Sequence, residues 1–233
     1  MRKRQRLGQH FLISQTVAKK IAEAARITKK DVVLEIGTGR GILVPLLCEK
    51  AKKVISIEAD SVLYQDAKKR FSGIANLALR NGDGFKTDEK FSIFVSNLPY
   101  SKSRKAMEWL IQKKFSGAIV MVQKEFYEKL VAKGKNRKAI SVLVNYSSEI
   151  EKIINVKKTN FNPPPKVDSV VLQLKRKKTI SKELVQTTNK LFSYKRKNLK
   201  NIFKQFGKKI ESDKRLEELS SEEIINIAKQ VLR

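Results

Sequence analysis

The sequence predicts an α/β fold, with a parallel, doubly wound sheet and a small helical C-terminal part. Three observations predict it. Short apolar runs typical of strands alternate with stretches of helical spacing from residue 14 to about residue 125. Near residue 140 the alternation stops, and two apolar runs close together predict a terminal antiparallel hairpin. From about residue 176 the chain becomes rich in lysine and keeps helical spacing.

Each element follows from local signals. Ser14 is a suitable N-cap for a helix over residues 14–27, and Ser220 and Glu223 have the spacing of a capping box before the last helix. We expect strands at 31–36, 53–60, 77–85, 90–100, 117–125, 139–156 and 169–176, and helices at 42–51, 61–71 and 104–115.

Composition limits the partners. The 233 residues are 41% hydrophobic, enough for one sizeable core and a small appendage. Lys and Arg number 51 against 23 Asp and Glu, a formal net charge of +28. This excess is larger than solubility requires and predicts a nucleic-acid partner. A host whose proteins are generally basic is the alternative explanation.

The chain contains one cysteine, Cys48, and one histidine, His10, which excludes an internal disulfide framework and a Cys/His metal cluster. We therefore expect no metal, and we expect Cys48 to fill the core. The basic start lacks the apolar segment of a signal peptide, and no apolar run approaches the ~20 residues of a membrane span. A cytoplasmic protein without membrane contact is expected.

The stretch "LEIGTGRG" (34–41) places Gly37 and Gly39 between a predicted strand and a predicted helix. Glycines there let a ligand approach the backbone closely. The third position of the dinucleotide fingerprint is Ile42 instead of glycine, and no phosphate-binding P-loop is present. A tight strand–helix turn is the structural alternative.

Two acids follow the next two strands. Glu58 can accept both ribose hydroxyls of an adenosine, and Asp83 is placed to accept from an adenine amine. Each acid alone is more often a solvated turn residue. Together with the glycines they predict an adenosine-bearing ligand without a pyrophosphate, and S-adenosyl-L-methionine fits because its sulfonium suits an acidic site.

The stretch "NLPY" (97–100) follows an apolar strand. The Asn97 side-chain oxygen and the Leu98 carbonyl can accept the N–H groups of an adenine amine and so turn its lone pair toward a methyl group. Pro99 fixes the loop, and Tyr100 can stack on the purine. Orientation would then supply most of the catalysis, without a strong base. A strand-end turn with a core tyrosine is the alternative.

These motifs and others resemble the KsgA-type small-subunit rRNA adenine dimethyltransferases, and the resemblance runs from about residue 6 to residue 175. Within that family, "QHFL" and the short C-terminal part favour the archaeal or eukaryal branch. The further motifs are "GQHFL" (8–12), "VISIEAD" (54–60), "GDG" (82–84), "VQKE" (122–125) and "FNPPPKVDSVV" (161–171). The resemblance implies a Rossmann-like class I S-adenosylmethionine-dependent methyltransferase sheet over 1–175 and a small basic helical RNA-binding domain over 176–233.

The resemblance also implies roles for particular residues. Phe161 would stack on the target base opposite Tyr100, a sandwich suited to a flipped adenine. We interpret Lys195, Arg196 and Lys197 as phosphate contacts, against a solvated helix face. The implied cofactor set is Gln9, His10 and Leu12 at the methionine end, with Glu35, Gly37, Gly39, Glu58, Asp83 and Asn97.

Two departures stand out. The family more often has proline where Thr38 stands. In the segment 132–143, the aromatic residue and the arginine that usually precede the Ser-Val pair are missing before Ser141 and Val142.

The implied activity is dimethylation of two adjacent adenines in small-subunit (16S-type) rRNA during ribosome assembly, by a monomer acting on the pre-ribosomal small subunit. Two alternatives stay open. One is the related large-subunit enzyme of macrolide resistance, which usually has Ile at the position of Leu98. The other is a non-catalytic RNA-binding assembly or transcription factor, which would not need Glu58 or an intact Asn97–Tyr100.

Overall fold

The computed structural model describes residues 9–232. Residues 1–8, with Gly8 of the "GQHFL" motif, and Arg233 lie outside the described residues. The strands are β1 (Phe11–Leu12), β2 (Val32–Ile36), β3 (Lys53–Glu58), β4 (Leu77–Asn81), β5 (Ile93–Asn97), β6 (Gly117–Gln123), β7 (Ser148–Val156), β8 (Phe161–Asn162) and β9 (Ser169–Arg176). The helices are α1 (Gln15–Ala24), α2 (Val44–Lys50), α3 (Ser61–Arg70), α4 (Ser103–Leu110), α5 (Lys124–Val131), α6 (Ala139–Ser147), α7 (Lys182–Ser193), α8 (Leu199–Lys204) and α9 (Ser221–Leu232).

Seven strands form one sheet in the order β4-β3-β2-β5-β6-β9-β7, and β1 pairs with β8 in a separate antiparallel ribbon. The pairs from β4 to β6 are parallel, and β9 runs antiparallel to β6. The chain moves outward from β2 through β3 to β4 and then returns to the other side of β2 as β5. This reversal leaves a crevice at the carboxyl ends of β2 and β5, where open α/β sheets bind ligands. The predicted parallel, doubly wound sheet is confirmed.

The local signals account for most elements. The Ser14 hydroxyl caps α1 by accepting from the Val17 amide at 3.3 Å, as predicted. In the last helix, the Ser220 amide donates to the Glu223 carboxylate at 2.6 Å and the Glu223 amide donates to the Ser220 hydroxyl at 3.1 Å, which confirms the capping box. Cys48 is buried in the core beneath the sheet, also as predicted.

Several observed elements end earlier than predicted, and one differs in type over most of a helix. Residues 139–147 were expected to begin a strand, but Ala139–Ser147 is the helix α6, and the strand begins at Ser148. Seven of the nine α6 residues are buried, so its polar face is too small to give a helical period, and its β-branched residues suggest a strand. The strands expected to form the hairpin, β7 and β9, are neighbours at the edge of the sheet.

The described chain divides into two compact units. The first holds the residues up to Ser103, Lys114–Lys124 and Ile150–Lys175, and it contains the sheet strands and α1 to α3. The second holds Arg104–Lys113, Glu125–Glu149 and the residues from Arg176 on, and it is helical. The chain passes from the first unit to the second after residue 175, where the sequence places a domain boundary. It also enters the second unit earlier, at 104–113 and at 125–149. The domains 1–175 and 176–233 stay a prediction.

A helix that spans a membrane must be both long and apolar. None of the helices within residues 9–232 meets both conditions.

Gly84 packs directly against the end of β2. A Cβ at this position would lie 2.7 Å from Cγ2 and 2.8 Å from Cγ1 of Ile36, a buried β-branched side chain with little freedom to move. We expect Gly84→Ala to lower the free energy of unfolding by about 1–3 kcal/mol through overpacking, measured by urea denaturation.

The matched control is Gly73→Ala, because no atom lies within 4 Å of a Cβ built there. Its effect should stay below about 0.5 kcal/mol. Equal losses in the two variants would contradict the steric argument.

Candidate active site

The glycine loop closes the carboxyl end of β2. Gly37, Gly39 and Gly41 all have positive φ, at 87°, 56° and 70°, a conformation that glycine adopts without strain. The Gly37 amide donates to the Ile57 carbonyl of β3 at 2.8 Å. On the β5 side, a Cβ on Gly37 would lie 3.9 Å from the Asn97 carbonyl oxygen. The loop and the "NLPY" segment therefore meet at the crevice where the strand order reverses.

The Glu58 carboxylate is bonded to the backbone of this loop. Its Oε2 accepts from the Gly39 amide at 2.8 Å, its Oε1 accepts from the Asp60 amide at 2.9 Å, and its side chain is buried. A carboxylate has about four acceptor positions, so about two stay available after these bonds. Two further acceptor positions match the two hydroxyls of a ribose, the role predicted for Glu58.

Asp83 lies on the exposed turn after β4, where its carboxylate accepts from the Phe85 amide at 3.0 Å. The turn is tied to β3, because the Glu58 carbonyl accepts from the Asn81 side-chain amide at 2.8 Å and from the Gly82 amide at 2.9 Å. Asp83 is thus placed beside the end of β3, and its predicted contact with an adenine stays a prediction.

Glu35 is the second carboxyl group near the loop. It is 1% exposed, pairs in register with Ser56 on β3, and accepts from the Ser56 hydroxyl at 2.5 Å. Burial raises the pKa of the Glu35 carboxyl to about 8, the nearby Glu58 charge adds to the rise, and the Ser56 hydrogen bond opposes it. The sequence analysis placed Glu35 in the cofactor site but missed its hydroxyl partner, Ser56, because strand register is not visible in the sequence.

The "NLPY" segment is held from several sides. Asn97 ends β5 half-buried, Leu98 is buried, and the Pro99 carbonyl accepts from the Lys102 amide at 2.8 Å. The Tyr100 hydroxyl lies 2.7 Å from the Ser169 hydroxyl, and burial raises the pKa of the Tyr100 phenol. Tyr100 is therefore a neutral phenol at physiological pH, fixed at its far end.

His10 connects the N-terminal motif to this segment. Its ring stacks on the Tyr100 ring with centroids 5.6 Å apart and planes at 28°, and its Nδ1 lies 2.9 Å from the Pro163 carbonyl. Gln9, beside it, has a buried side-chain oxygen without a hydrogen-bond partner in the described structure. A buried acceptor of this kind fits a donor on a bound ligand.

Phe161, predicted to stack on the target base, lies in the β1–β8 ribbon. It pairs with Leu12 across the β1–β8 ribbon, and both side chains are buried, Phe161 to 2% exposure. In this structure the ring on Tyr100 is that of His10. A base-stacking role for Phe161 stays a prediction and requires its ring to move outward.

The three predicted RNA contacts lie in the second unit. Lys195, Arg196 and Lys197 form the turn between α7 and α8, not a helix face, with the Lys197 amide donating to the Tyr194 carbonyl at 2.8 Å.

Across residues 9–232, no group of three or more His, Cys, Asp or Glu side chains could hold a metal ion.

Named proteins resemble this chain over almost its whole length. Ribosomal RNA small subunit methyltransferase A of Thermotoga maritima is 37% identical over 236 residues, covering 97% of this chain and 85% of the relative. A probable ribosomal RNA small subunit methyltransferase A of Methanosarcina barkeri is 33% identical, covering 96% and 86%. Because relatives from both organisms match this chain at similar identity, the predicted archaeal or eukaryal branch stays a prediction.

Solved structures agree with this likeness. A dimethyladenosine transferase from Plasmodium falciparum superposes with a TM-score of 0.80 at 32% identity, covering 94% of this chain and 96% of its own. The 23S rRNA methyltransferase ErmE superposes with a TM-score of 0.69 at 21% identity, covering 96% and 100%, and shows a shared fold. The class I methyltransferase fold is thereby confirmed. A family model described as ribosomal RNA adenine dimethylase matches residues 1–231, and the chain belongs to that family.

Proposed function

We propose that this chain transfers methyl groups from S-adenosyl-L-methionine to the N6 amines of two adjacent adenines in small-subunit rRNA, forming N6,N6-dimethyladenine. The observation that carries the proposal is the meeting of the glycine loop with "NLPY" at the crevice between β2 and β5, where a Cβ on Gly37 would lie 3.9 Å from the Asn97 carbonyl oxygen. A cofactor at the loop and an amine at Asn97 would then be neighbours. The protein would act in the cytoplasm, as a monomer, on an assembling small subunit.

The residues around the loop suit the cofactor. Glu58 keeps about two acceptor positions for ribose hydroxyls, and the buried side-chain oxygen of Gln9 offers a further acceptor. His10 and Leu12 would help to line the methionine end, and Asp83 would accept from the adenine amine. S-adenosyl-L-methionine supplies a methyl group on a positively charged sulfur, which is electrophilic without further activation.

The chain's own contribution to the chemistry is orientation. The Asn97 side-chain oxygen and the Leu98 carbonyl accept the two N–H groups of the target amine, so that the nitrogen lone pair points at the methyl group. The nitrogen–carbon bond forms as the sulfur–carbon bond breaks, and the cationic product amine releases its proton to water. Tyr100, fixed by Ser169, supports the purine face.

RNA binding is proposed for the turn after α7. The Tyr194 and Phe206 rings meet edge to face at 6.4 Å, with the Lys197 ammonium 5.4 Å from the Tyr194 ring and the Lys190 ammonium 4.8 Å from the Phe206 ring. Aromatic rings combined with cations favour nucleic acid, because phosphates and bases find partners together. Lys195 and Arg196 extend the charge of this surface.

The activity is tested with radiolabelled S-adenosyl-L-methionine and undermethylated ribosomal subunits, followed by digestion of the RNA and identification of the labelled nucleoside. We expect labelled dimethyladenosine in small-subunit RNA. Asn97→Ala should lower the rate by at least about 100-fold, because the amine loses an oriented acceptor.

The matched control is Asn155→Ala, since Asn155 is exposed on β7, and its rate should stay within about twofold of the unaltered protein. Label confined to large-subunit RNA would move the assignment to the macrolide-resistance type. RNA binding without any label would indicate a non-catalytic assembly factor.

The RNA surface is tested by replacing Lys195, Arg196 and Lys197 together with alanine and measuring rRNA affinity from 50 to 300 mM salt. Each lost phosphate contact removes about 0.7–0.9 from the slope of log K against log salt, so a decrease of about 2–3 is expected.

A second triple variant serves as its control. Lys52, Lys53 and Lys90 are exposed at the amino ends of β3 and β5, so their replacement removes the same charge away from the proposed surface. An equal change of slope in both variants would show that only the total charge matters and would refute the assigned surface.

A further inference from the structure

Three buried polar side chains form a hydrogen-bonded row at the base of the glycine loop, and the methyl transfer described above does not use this row. The Thr38 hydroxyl lies 2.6 Å from the Ser56 hydroxyl, which lies 2.5 Å from Oε2 of Glu35. Thr38 is 4% exposed, Ser56 is 0% exposed and Glu35 is 1% exposed. The row thus joins the loop to β3 and β3 to β2.

The hydrogen-bonded row of Thr38, Ser56 and Glu35 can hold the Glu35 carboxyl in either protonation state. With Glu35 ionised, Ser56 donates to the carboxylate and Thr38 donates to Ser56. With Glu35 protonated, the carboxyl can donate to Ser56, which can donate to Thr38, because a hydroxyl both donates and accepts. The direction of both bonds reverses without movement of a heavy atom.

The electrostatics around the row favour the protonated form in the free protein. Burial raises the pKa of Glu35 to about 8, and the carboxylate of Glu58 on β3 adds to the rise. The Cys48 thiol on α2 also faces Glu35, and burial raises its pKa to about 11, so it stays neutral in the physiological range. The charge that acts on Glu35 is thus the carboxylate of Glu58, which raises the pKa of Glu35. The neutral Cys48 thiol adds no charge.

We infer that Thr38 and Ser56 are positioning residues for Glu35, and that the three side chains hold a proton which leaves when a cationic ligand binds at the glycine loop. The inference rests on the proposed function, because the sulfonium and ammonium charges of S-adenosyl-L-methionine are what would favour the ionised carboxyl. The O–H bond of the carboxyl breaks, its electron pair stays on Glu35, and the proton passes to the buffer.

Titration calorimetry tests the inference directly. S-adenosyl-L-methionine is titrated into the full chain at pH 7 in phosphate and in Tris, two buffers that differ in their enthalpy of ionisation. A released proton makes the two binding enthalpies differ, and we expect about one proton per cofactor bound. Equal enthalpies would overturn the inference but leave the proposed function standing, whereas failure to bind in either buffer would refute the proposed function itself.

Variants assign the proton and the positioning. Glu35→Gln should make the binding enthalpy independent of buffer, because the amide has no proton to release in this range. Thr38→Val should weaken cofactor binding about tenfold through the lost hydrogen bond, and Thr38→Ser should restore it. The control is Thr188→Val in the second unit, since Thr188 is equally buried and donates to the Leu184 carbonyl at 2.8 Å. An equal weakening by Thr188→Val, or failure of Thr38→Ser to restore binding, would refute the positioning role.

Stability against pH gives a readout without cofactor. Because the folded protein holds the Glu35 proton to about pH 8 and the unfolded chain only to about 4.5, the stabilisation is complete below pH 4.5 and is lost as the pH rises through 8. Between pH 6 and pH 8 this group alone should reduce the folding equilibrium constant about 50-fold. Denaturant unfolding of Glu35→Gln should show a smaller decrease over the same range, and parallel curves for the two proteins would contradict a proton held by Glu35.

Discussion

The parallel pairing of β2 with both β3 and β5 is the constraint on which the site depends. Parallel strands bring their carboxyl ends to one edge, and the reversal of strand order at β2 keeps that edge free of a crossing connection. The glycine loop, Glu58 and "NLPY" each begin where one of these three strands ends. Without this register, the acceptor for an amine and the loop for a cofactor would have no reason to lie within a few ångströms of each other.

The same register brings two carboxyl groups close together, and the structure treats them differently. Glu58 accepts hydrogen bonds from two backbone amides. Glu35 lies opposite Ser56 and accepts from its hydroxyl, and burial raises the pKa of the Glu35 carboxyl to about 8. The difference arises from the backbone geometry of the loop, since both residues are glutamates at the carboxyl ends of adjacent strands.

Much of this arrangement could be predicted from the sequence, because strand ends are marked by residues that strands avoid. Gly37, Asp83 and Pro99 each follow an apolar run, and their order is sufficient to predict a sheet with its site at one edge. Two aspects could not be predicted. The helix α6 is buried on nearly all sides, so its sequence carries no periodic signal. The contacts of His10 with Tyr100 and of Ser56 with Thr38 join distant parts of the chain, and their geometry depends on how the strands pack.

The proposed catalysis by orientation would require a rigid loop, and the β1–β8 ribbon would supply part of that rigidity. The ribbon pairs Leu12 with Phe161 and so carries the N-terminal motif and the proline-rich segment as one piece. From that piece His10 reaches both the Tyr100 ring and the Pro163 carbonyl, while Ser169, at the start of β9, fixes the Tyr100 hydroxyl. The tyrosine is thereby held at its ring and at its oxygen by elements more than 60 residues away in sequence. Under the proposed function, a target base would meet a ring that already has a neighbour, so the position of His10 would decide which face of Tyr100 the base can use.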